Sequence, residues 1–434
     1  MATNSVVREP AHRTINRTRV AVSVGIGNAL EFFDFTMYGF FAVIIGQVFF
    51  ASDSPVVGTL SALAVFGVSF FARPLGGFIF GPIGDRYGRK VSLIASVLLM
   101  GFSTAFIGLL PTYEAIGVAA PILLVLLRLI QGISTGGESG GAITYMNEMS
   151  PADRRGLYSS VVPATGMGTV GIASLVALSI QLSLPEDALL AWGWRLPFLI
   201  AAPLSVIGLY IRFKLDESPV FEAMKASGQA TLGNANPRRW GGKNIVFAFF
   251  VSGMAGVGSY YLATYMITHL TTTAGFDRTP ALIIVSVGML LGGAICCPLA
   301  GALSDRIGRR PTMVIGLVGW LVLIIPVLLL MNTGALVWAI IGFALLAISH
   351  SMVQTTTYVS IAEAFPGSSR SSAVGITFNT AQALIAGPGP LVAAALVAGT
   401  GIALAASWYL IAVAAVTLVI VLVLMPETRG KVLS

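Results

Sequence analysis

Two carboxylates three residues apart, Glu31 and Asp34, occupy the stretch GNALEFFDFTMYGFF at 27–41, within an otherwise almost wholly apolar run. That spacing puts both on one helix face, which Asn28 and Tyr38 extend. Arg128, Gln131, Thr135, Glu138 and Tyr145 form a second stripe of the same period, and Arg73 stands in another apolar run. A charge at mid-bilayer costs at least about 2.5–3.5 kcal/mol, so such groups must face one another or water. Desolvation favours a protonated carboxylate and a neighbouring arginine favours the ionised one. A guanidinium fork can also donate two bonds to a carboxylate ligand. Asp34, Glu31 and Glu138 are therefore candidate proton carriers, and Arg128, Arg73, Tyr38 and Gln131 candidate substrate contacts. A static ion pair between the first and fourth spans is the alternative.

These residues need a membrane-spanning frame, and the composition supplies it. The chain is 56% hydrophobic and 10% charged, against roughly 25% charged in a soluble domain, with mean hydropathy +0.88. About 20 apolar residues cross a bilayer core. Runs that qualify are 20–49, 56–82, 91–111, 119–148, 157–183, 196–215, 243–270, 279–303, 312–331, 335–364, 371–399 and 403–425. Lipid forces each span to satisfy its own backbone, which predicts helices. At about 1.5 Å per residue, Glu31 and Asp34 lie about 17 and 21 Å along the first helix, near the midplane. Of the 25 Lys and Arg, 21 fall on one face of this topology, including Arg8, Arg13 and the stretch from Arg212 to Lys243. That face is predicted to be cytoplasmic, with both termini on it. The net charge of +7 is then a topology signal and gives no reason to expect a nucleic-acid partner. Adjacent Cys296 and Cys297 suit packing better than a disulfide or a metal site. The first run is too long for a signal-peptide core and is expected to remain as a helix.

The chain repeats itself. GPIGDRYGRK (81–90) returns as GALSDRIGRR (301–310), and the spacing of Glu148, Pro151 and Arg155 returns in Glu363, Pro366 and Arg370. The expected fold is an all-α membrane protein, twelve transmembrane helices in two pseudo-symmetric six-helix bundles. Its parts are a cytoplasmic N-terminal segment (1–19), a first bundle (20–213), a cytoplasmic linker (214–243), a second bundle (244–425) and a tail (426–434). The repeated loops are expected to form a cytoplasmic gate: Asp85, Arg86, Arg89, Glu148 and Arg155 against Asp305, Arg306, Arg309, Glu363 and Arg370. Gly132, Gly136, Gly140 and Gly166 should let helices approach closely, and GPGP at 387–390 should bend the eleventh helix. The second half contributes uncharged candidates for substrate contact, Tyr261, Tyr265, Gln354, Tyr358, Asn379 and Gln382, and one deep histidine, His350, as a further proton candidate.

The loop decapeptide resembles the signature of the major facilitator superfamily. GNALEFFDF, ARPLGG, RLIQGISTGGE, YMNEMSPADRRG, WGWRLPF and SDRIGRRP together resemble its metabolite:proton symporters, the branch holding proline/betaine, 2-oxoglutarate and citrate carriers. Two departures are Phe32, where many relatives carry Trp, and an end soon after PETRGK. The resemblance implies a multi-pass transporter of a bacterial cytoplasmic membrane, working as a monomer, with the proton as coupling ion and no cofactor or metal. Two deep arginines lead to the expectation of a small organic carboxylate as cargo, of the dicarboxylate, tricarboxylate or 2-oxoglutarate type. A zwitterionic osmolyte caged by Phe32, Phe35, Tyr260, Tyr261 and Tyr265 is the alternative, and a sugar the third choice. A channel is a rival of another class, but paired midplane charges and gate-like repeats suit a carrier better. GISTG (132–136) fits a serine-nucleophile pattern, yet Ser134 lies in an apolar helix rather than on a strand-to-helix turn. No enzyme activity is expected.

Overall fold

A computed structural model describes residues 17–50, 55–228 and 240–433, and among these it contains helices and connecting loops but no strand. Arg8, Arg13 and residues 229–239 of the predicted linker lie outside the described residues.

The first bundle comprises α1 (Arg17–Phe40, continued by Ala42–Phe49), α2 (Pro55–Tyr87), α3 (Arg89–Leu109), α4 (Ala119–Met149), α5 (Arg155–Ser159 and Val161–Ser183) and α6 (Leu196–Phe213). The second comprises α7 (Gly242–Tyr260, continued to Thr272), α8 (Arg278–Gly288, continued to Ile307), α9 (Arg309–Met331), α10 (Leu336–Ala364), α11 (Arg370–Ala381, continued to Thr400) and α12 (Ala406–Leu424). Eleven of the helices are individually long and apolar enough to cross a membrane. The twelfth, α11, is divided: a π turn at Gln382–Ala386 and a break at Gly387 and Pro388 separate its halves. Proline cannot donate the backbone bond that would continue the helix there. Similar π turns interrupt α7 at Tyr261–Tyr265 and α8 at Met289–Ala294, features that cluster at functional sites. The predicted linker is not wholly irregular, since Pro219–Ala226 is helical and capped by the Ser218 hydroxyl.

Glycines bring the charged helices together. A Cβ on Gly136 would lie 2.0 Å from the Arg73 carbonyl oxygen, and one on Gly132 would lie 2.2 Å from that of Ser69. No side chain larger than hydrogen fits there, so α2 and α4 pack backbone to backbone. Gly140 meets Gly375 in the same way, which extends the contact from α4 to α11 across the two bundles. Cys297 is buried against Met167, with sulfur atoms 3.7 Å apart, and both cysteines are free.

Candidate transport site and cytoplasmic seal

A cavity of about 690 Å³ lies between the bundles. Glu31, Phe32, Phe35 and Arg73 form its first-bundle wall, and Tyr260 and His350 stand opposite. It reaches Phe40, Thr271 and Arg278, at the ends of α1, α7 and α8 remote from the duplicated loops. Arg278 Nη2 donates to the Phe40 carbonyl at 3.2 Å and ties the bundles at that mouth.

Glu31 and Arg73 form the charged floor. Arg73 Nη2 stands 3.5 Å from Glu31 Oε1, and Ser139 Oγ donates to the other carboxylate oxygen at 3.3 Å. The Arg73 guanidinium lies 4.6 Å from the ring centres of both Phe35 and Phe70. Two ring faces stabilise this cation where water is scarce. Glu31 and Arg73 are each only 4% exposed, so their charges are held by one another and by these neighbours.

Asp34 and Arg128 form a second pair, outside the cavity wall. Arg128 Nη1 donates to Asp34 Oδ2 at 2.7 Å, while Gln131 Nε2 donates to Asp34 Oδ1 at 2.9 Å and to Thr104 Oγ1 at 2.7 Å. The Arg128 guanidinium covers the Tyr38 ring at 3.6 Å, and the Tyr38 hydroxyl donates to the Ala62 carbonyl. Of the residues expected to meet substrate, Arg128 and Gln131 of α4 bond here to Asp34 of α1, and Tyr38 bonds to α2. The physical reason is depth within the bundle: their stripe faces the α1–α4 contact, and the bundle interface lies beyond it.

Glu138 has a partner that the sequence did not suggest. Arg212 donates to both of its carboxylate oxygens, at 2.7 Å from Nη1 and by a shorter contact from Nη2, and Ser96 Oγ adds a bond of 2.8 Å. Arg212, counted above among the cytoplasmic charges, is fully buried in the last turn of α6. Gly27 admits it, since a Cβ there would sit 1.8 Å from Arg212 Nη2. An arginine still inside the apolar run 196–215 was the available signal.

Among the second-half candidates, His350 lines the cavity and its Nε2 lies 2.9 Å from Ser259 Oγ. Gln354 donates to the same hydroxyl at 3.2 Å. Gln354, Tyr358 and Gln382 line a separate chamber of about 20 Å³ beneath Glu31. Tyr261 and Tyr265 face α12, and the Tyr265 hydroxyl donates to the Ala403 carbonyl just before that helix. Asn379 donates to the Gly136 carbonyl at 2.8 Å and joins α11 to α4. The predicted polar set is thus split between cavity, chamber and helix packing.

On the face of the duplicated loops the bundles are joined by reciprocal contacts. Asp85 accepts from the backbone amides of Ser371 and Ser372 and from the Ser372 hydroxyl, at 3.1, 2.9 and 2.6 Å, capping α11 of the other bundle. Asp305 accepts from the amides of Gly156 and Leu157, at 2.8 and 2.9 Å, at the start of α5. Each acid therefore satisfies donors that a helix start leaves without partners. Arg370 bridges to Glu148 at 2.9 Å and Arg155 to Glu363 at 2.5 Å, again across bundles. Within each bundle Arg89 holds Asp85 and Glu148, and Arg309 holds Asp305 and Glu363. Arg86 and Arg306, expected in the gate, are exposed and, among the described contacts, make no bridge to Glu148 or Glu363. One residue before the arginines that bridge, Gly88 (φ 113°) and Gly308 (φ 108°) take backbone angles that other residues rarely adopt.

A third duplicated feature completes the layer. Glu217 accepts from the amides of Arg89 and Lys90 at the start of α3, and Glu427 from those of Arg309 and Arg310 at the start of α9. Ser218 and Thr428 then donate to Glu148 and Glu363. Burial raises the Glu427 pKa, but four backbone amide bonds outweigh it and leave the group below its ordinary 4.5. The acid followed by a hydroxyl residue in DESP and PETR was the available sequence signal, partly hidden because the flanking residues differ.

The Major Facilitator Superfamily profile matches residues 24–390 and 248–433. A glycine betaine/proline/ectoine/pipecolic acid transporter, OusA of Dickeya dadantii, is 36% identical over 96% of this chain and 85% of its own length. The proline/betaine transporter of Escherichia coli K12 is 34% identical over 96% of this chain and 85% of its own length. Among solved structures, the proton:xylose symporter XylE bound to 6-bromo-6-deoxy-D-glucose superposes with a TM-score of 0.77 over 96% of this chain and 97% of that one, at 18% identity. A partially occluded inward-open form of XylE from E. coli gives 0.73 over 96% and 99%, at 17% identity. Those two likenesses speak for the fold alone. With the duplicated bundles, the reciprocal loop contacts and matches that cover nearly its whole length, this chain belongs to the major facilitator superfamily and is a transporter, not an enzyme.

Proposed function

We propose that this protein takes up a small zwitterion of the proline or betaine type, together with protons, by alternating access. The observation that carries the reading is one anion, Glu31, and one cation, Arg73, side by side in a cavity walled by Phe32, Phe35, Phe66 and Tyr260. Protonation of Glu31 would free Arg73 for the zwitterion's carboxylate, and a quaternary ammonium prefers aromatic faces to hydrogen bonds. The names of relatives at 34–36% identity support the same cargo.

The carboxylate cargo expected from two deep arginines is corrected by those relatives, which are named for proline and betaine. The geometry explains the error. Arg128 is consumed by Asp34 and Arg73 is matched by Glu31, so the cavity carries no surplus of positive charge.

Within this proposal Glu31 is the proton carrier, because it alone among Glu31, Asp34 and Glu138 lines the cavity. The reciprocal loop contacts are the closed cytoplasmic gate, and the protein works as a monomer in a bacterial cytoplasmic membrane with both termini inside. Thermal-shift measurements on purified protein with proline, glycine betaine, citrate and 2-oxoglutarate, followed by counterflow in proteoliposomes, test the cargo. Stabilisation and counterflow by proline or betaine alone are expected. Counterflow of citrate or 2-oxoglutarate without either zwitterion would refute the reading.

A further inference from the structure

The chamber beneath Glu31 adjoins the cavity above it, and the Glu31 and Arg73 side chains line both spaces, with Phe32, Ser259 and Tyr260. Among largely apolar walls, both bundles contribute polar side chains to it: Asn28, Glu31, Arg73 and Ser139 from the first, Gln354 and Tyr358 from the second. Its volume of about 20 Å³ exceeds the ~10–15 Å³ that one water needs and is far too small for proline. It lies on the cytoplasmic side of Glu31. Tyr358 is six residues, about 9 Å, from the cytoplasmic end of α10.

Two buried atoms of this lining have no hydrogen-bond partner among the described residues: Arg73 Nε, a donor, and Gln354 Oε1, an acceptor. Leaving both unsatisfied costs on the order of 1–3 kcal/mol each. A metal cation would satisfy the acceptor but meet the arginine. An anion would satisfy the donor but meet Glu31 and the bare amide oxygen. Water alone accepts from Arg73, donates to Gln354 and retains a lone pair and a proton for Glu31 and Tyr358.

We propose that this chamber is a water site through which Glu31 releases its proton toward the cytoplasm. The proposal rests on the proton-coupled reading above. In the transfer step the Glu31 carboxyl O–H bond breaks and a new O–H bond forms on the water. The hydronium, disfavoured beside Arg73, passes a proton to cytoplasmic water once the gate opens. Glu31 is left as a carboxylate facing Arg73. Gln354 and Tyr358 are positioning residues, which hold the water without touching substrate. The charged and titratable groups about the step are Arg73 on α2, Glu138 across α4 and Tyr260 on α7, besides Tyr358 itself.

Tyr358→Phe removes one hydroxyl with little change of shape, and Gln354→Leu removes the free acceptor. In proteoliposomes, proline or betaine accumulation driven by an imposed proton gradient is compared with counterflow in its absence. Accumulation is expected to fall at least fivefold further than counterflow in both variants, with fewer protons moved per substrate. Equal losses in the two assays, or none in either, would overturn the proposal. So would a sodium requirement in the wild-type protein, since the chamber would then hold that cation. If wild-type protein gives no counterflow with either zwitterion, the cargo reading fails. If it gives counterflow but no proton-driven accumulation, proton coupling fails, and the relay with it.

Discussion

Substituting Asp34 separates a packing role from a transport role. In Asp34→Asn, Arg128 keeps its charge in a site where both partners are fully buried, and Gln131 faces an amide where it had faced a carboxylate. Removing one member of a buried ion pair costs about 3–5 kcal/mol, because the other is left without compensation. At roughly 2–4 °C per kcal/mol for a unit the size of one bundle, the melting temperature should fall by on the order of 10 °C. The double variant Asp34→Asn with Arg128→Gln removes the stranded charge and should recover more than half of that loss. The assay is the thermal stability of detergent-purified protein by size-exclusion chromatography, with gradient-driven uptake normalised to folded protein. Normalised uptake should change less than threefold in the double variant. A single variant that melts like wild type yet loses all accumulation would refute this reasoning and return Asp34 to the list of proton carriers.

Glu31→Gln fixes the neutral side chain that the proposed proton carrier has with cargo aboard, so betaine counterflow should persist while accumulation driven by a proton gradient is lost; undiminished accumulation would remove Glu31 from the proton path. Asp85→Asn puts an amide NH2 in place of one carboxylate oxygen and so loses one or two of three bonds accepted across the bundles, and Asp305→Asn loses one of two; both should shift the population toward the cytoplasm-open form, read by spin-label distances across the loop face. Glu427 has a depressed pKa, so its contribution to stability is present above pH 4.5 and is lost as pH falls through its lower folded value; hydrogen exchange at the start of α9 should therefore rise only below about pH 4.5, and not in Glu427→Gln.

The helices, their number and the duplication were legible because hydrophobic length and repeated spacing are one-dimensional properties. Glycine positions 132, 136 and 140 were legible for the same reason: period four on a charged helix implies a close neighbour. Which arginine meets which acid was not legible. Glu31 with Arg73, Asp34 with Arg128, and Glu138 with Arg212 are three pairings on neighbouring helices, and helical periodicity fixes the face of each side chain but not the rotation of one helix against another. Arg212 was misread because a charge near a span end can lie in the loop or in the last turn. The cargo was misjudged because counting arginines ignores their neutralisation by acids that lie far away in sequence.

In the proposed gate, the arrangement of the loop contacts decides how a seal made of buried charges could open at all. Glu148 is shared between Arg89 and Ser218 of its own bundle and Arg370 of the other. Glu363 is likewise shared between Arg309 and Thr428 of its own bundle and Arg155 of the other. Separating the bundles therefore breaks only the cross-bundle bonds and leaves each buried glutamate with an arginine and a hydroxyl. The groups that lose partners, Asp85, Asp305, Arg155, Arg370 and the helix starts they cap, lie along the plane where water enters. Each cross-bundle bond is then exchanged for a bond to water, at a net cost of about 0.5–1.5 kcal/mol rather than the several kcal/mol of a stranded buried charge. A duplicated fold provides this economy twice, once in each bundle, and so lets the seal be strong when closed without making the open state prohibitive.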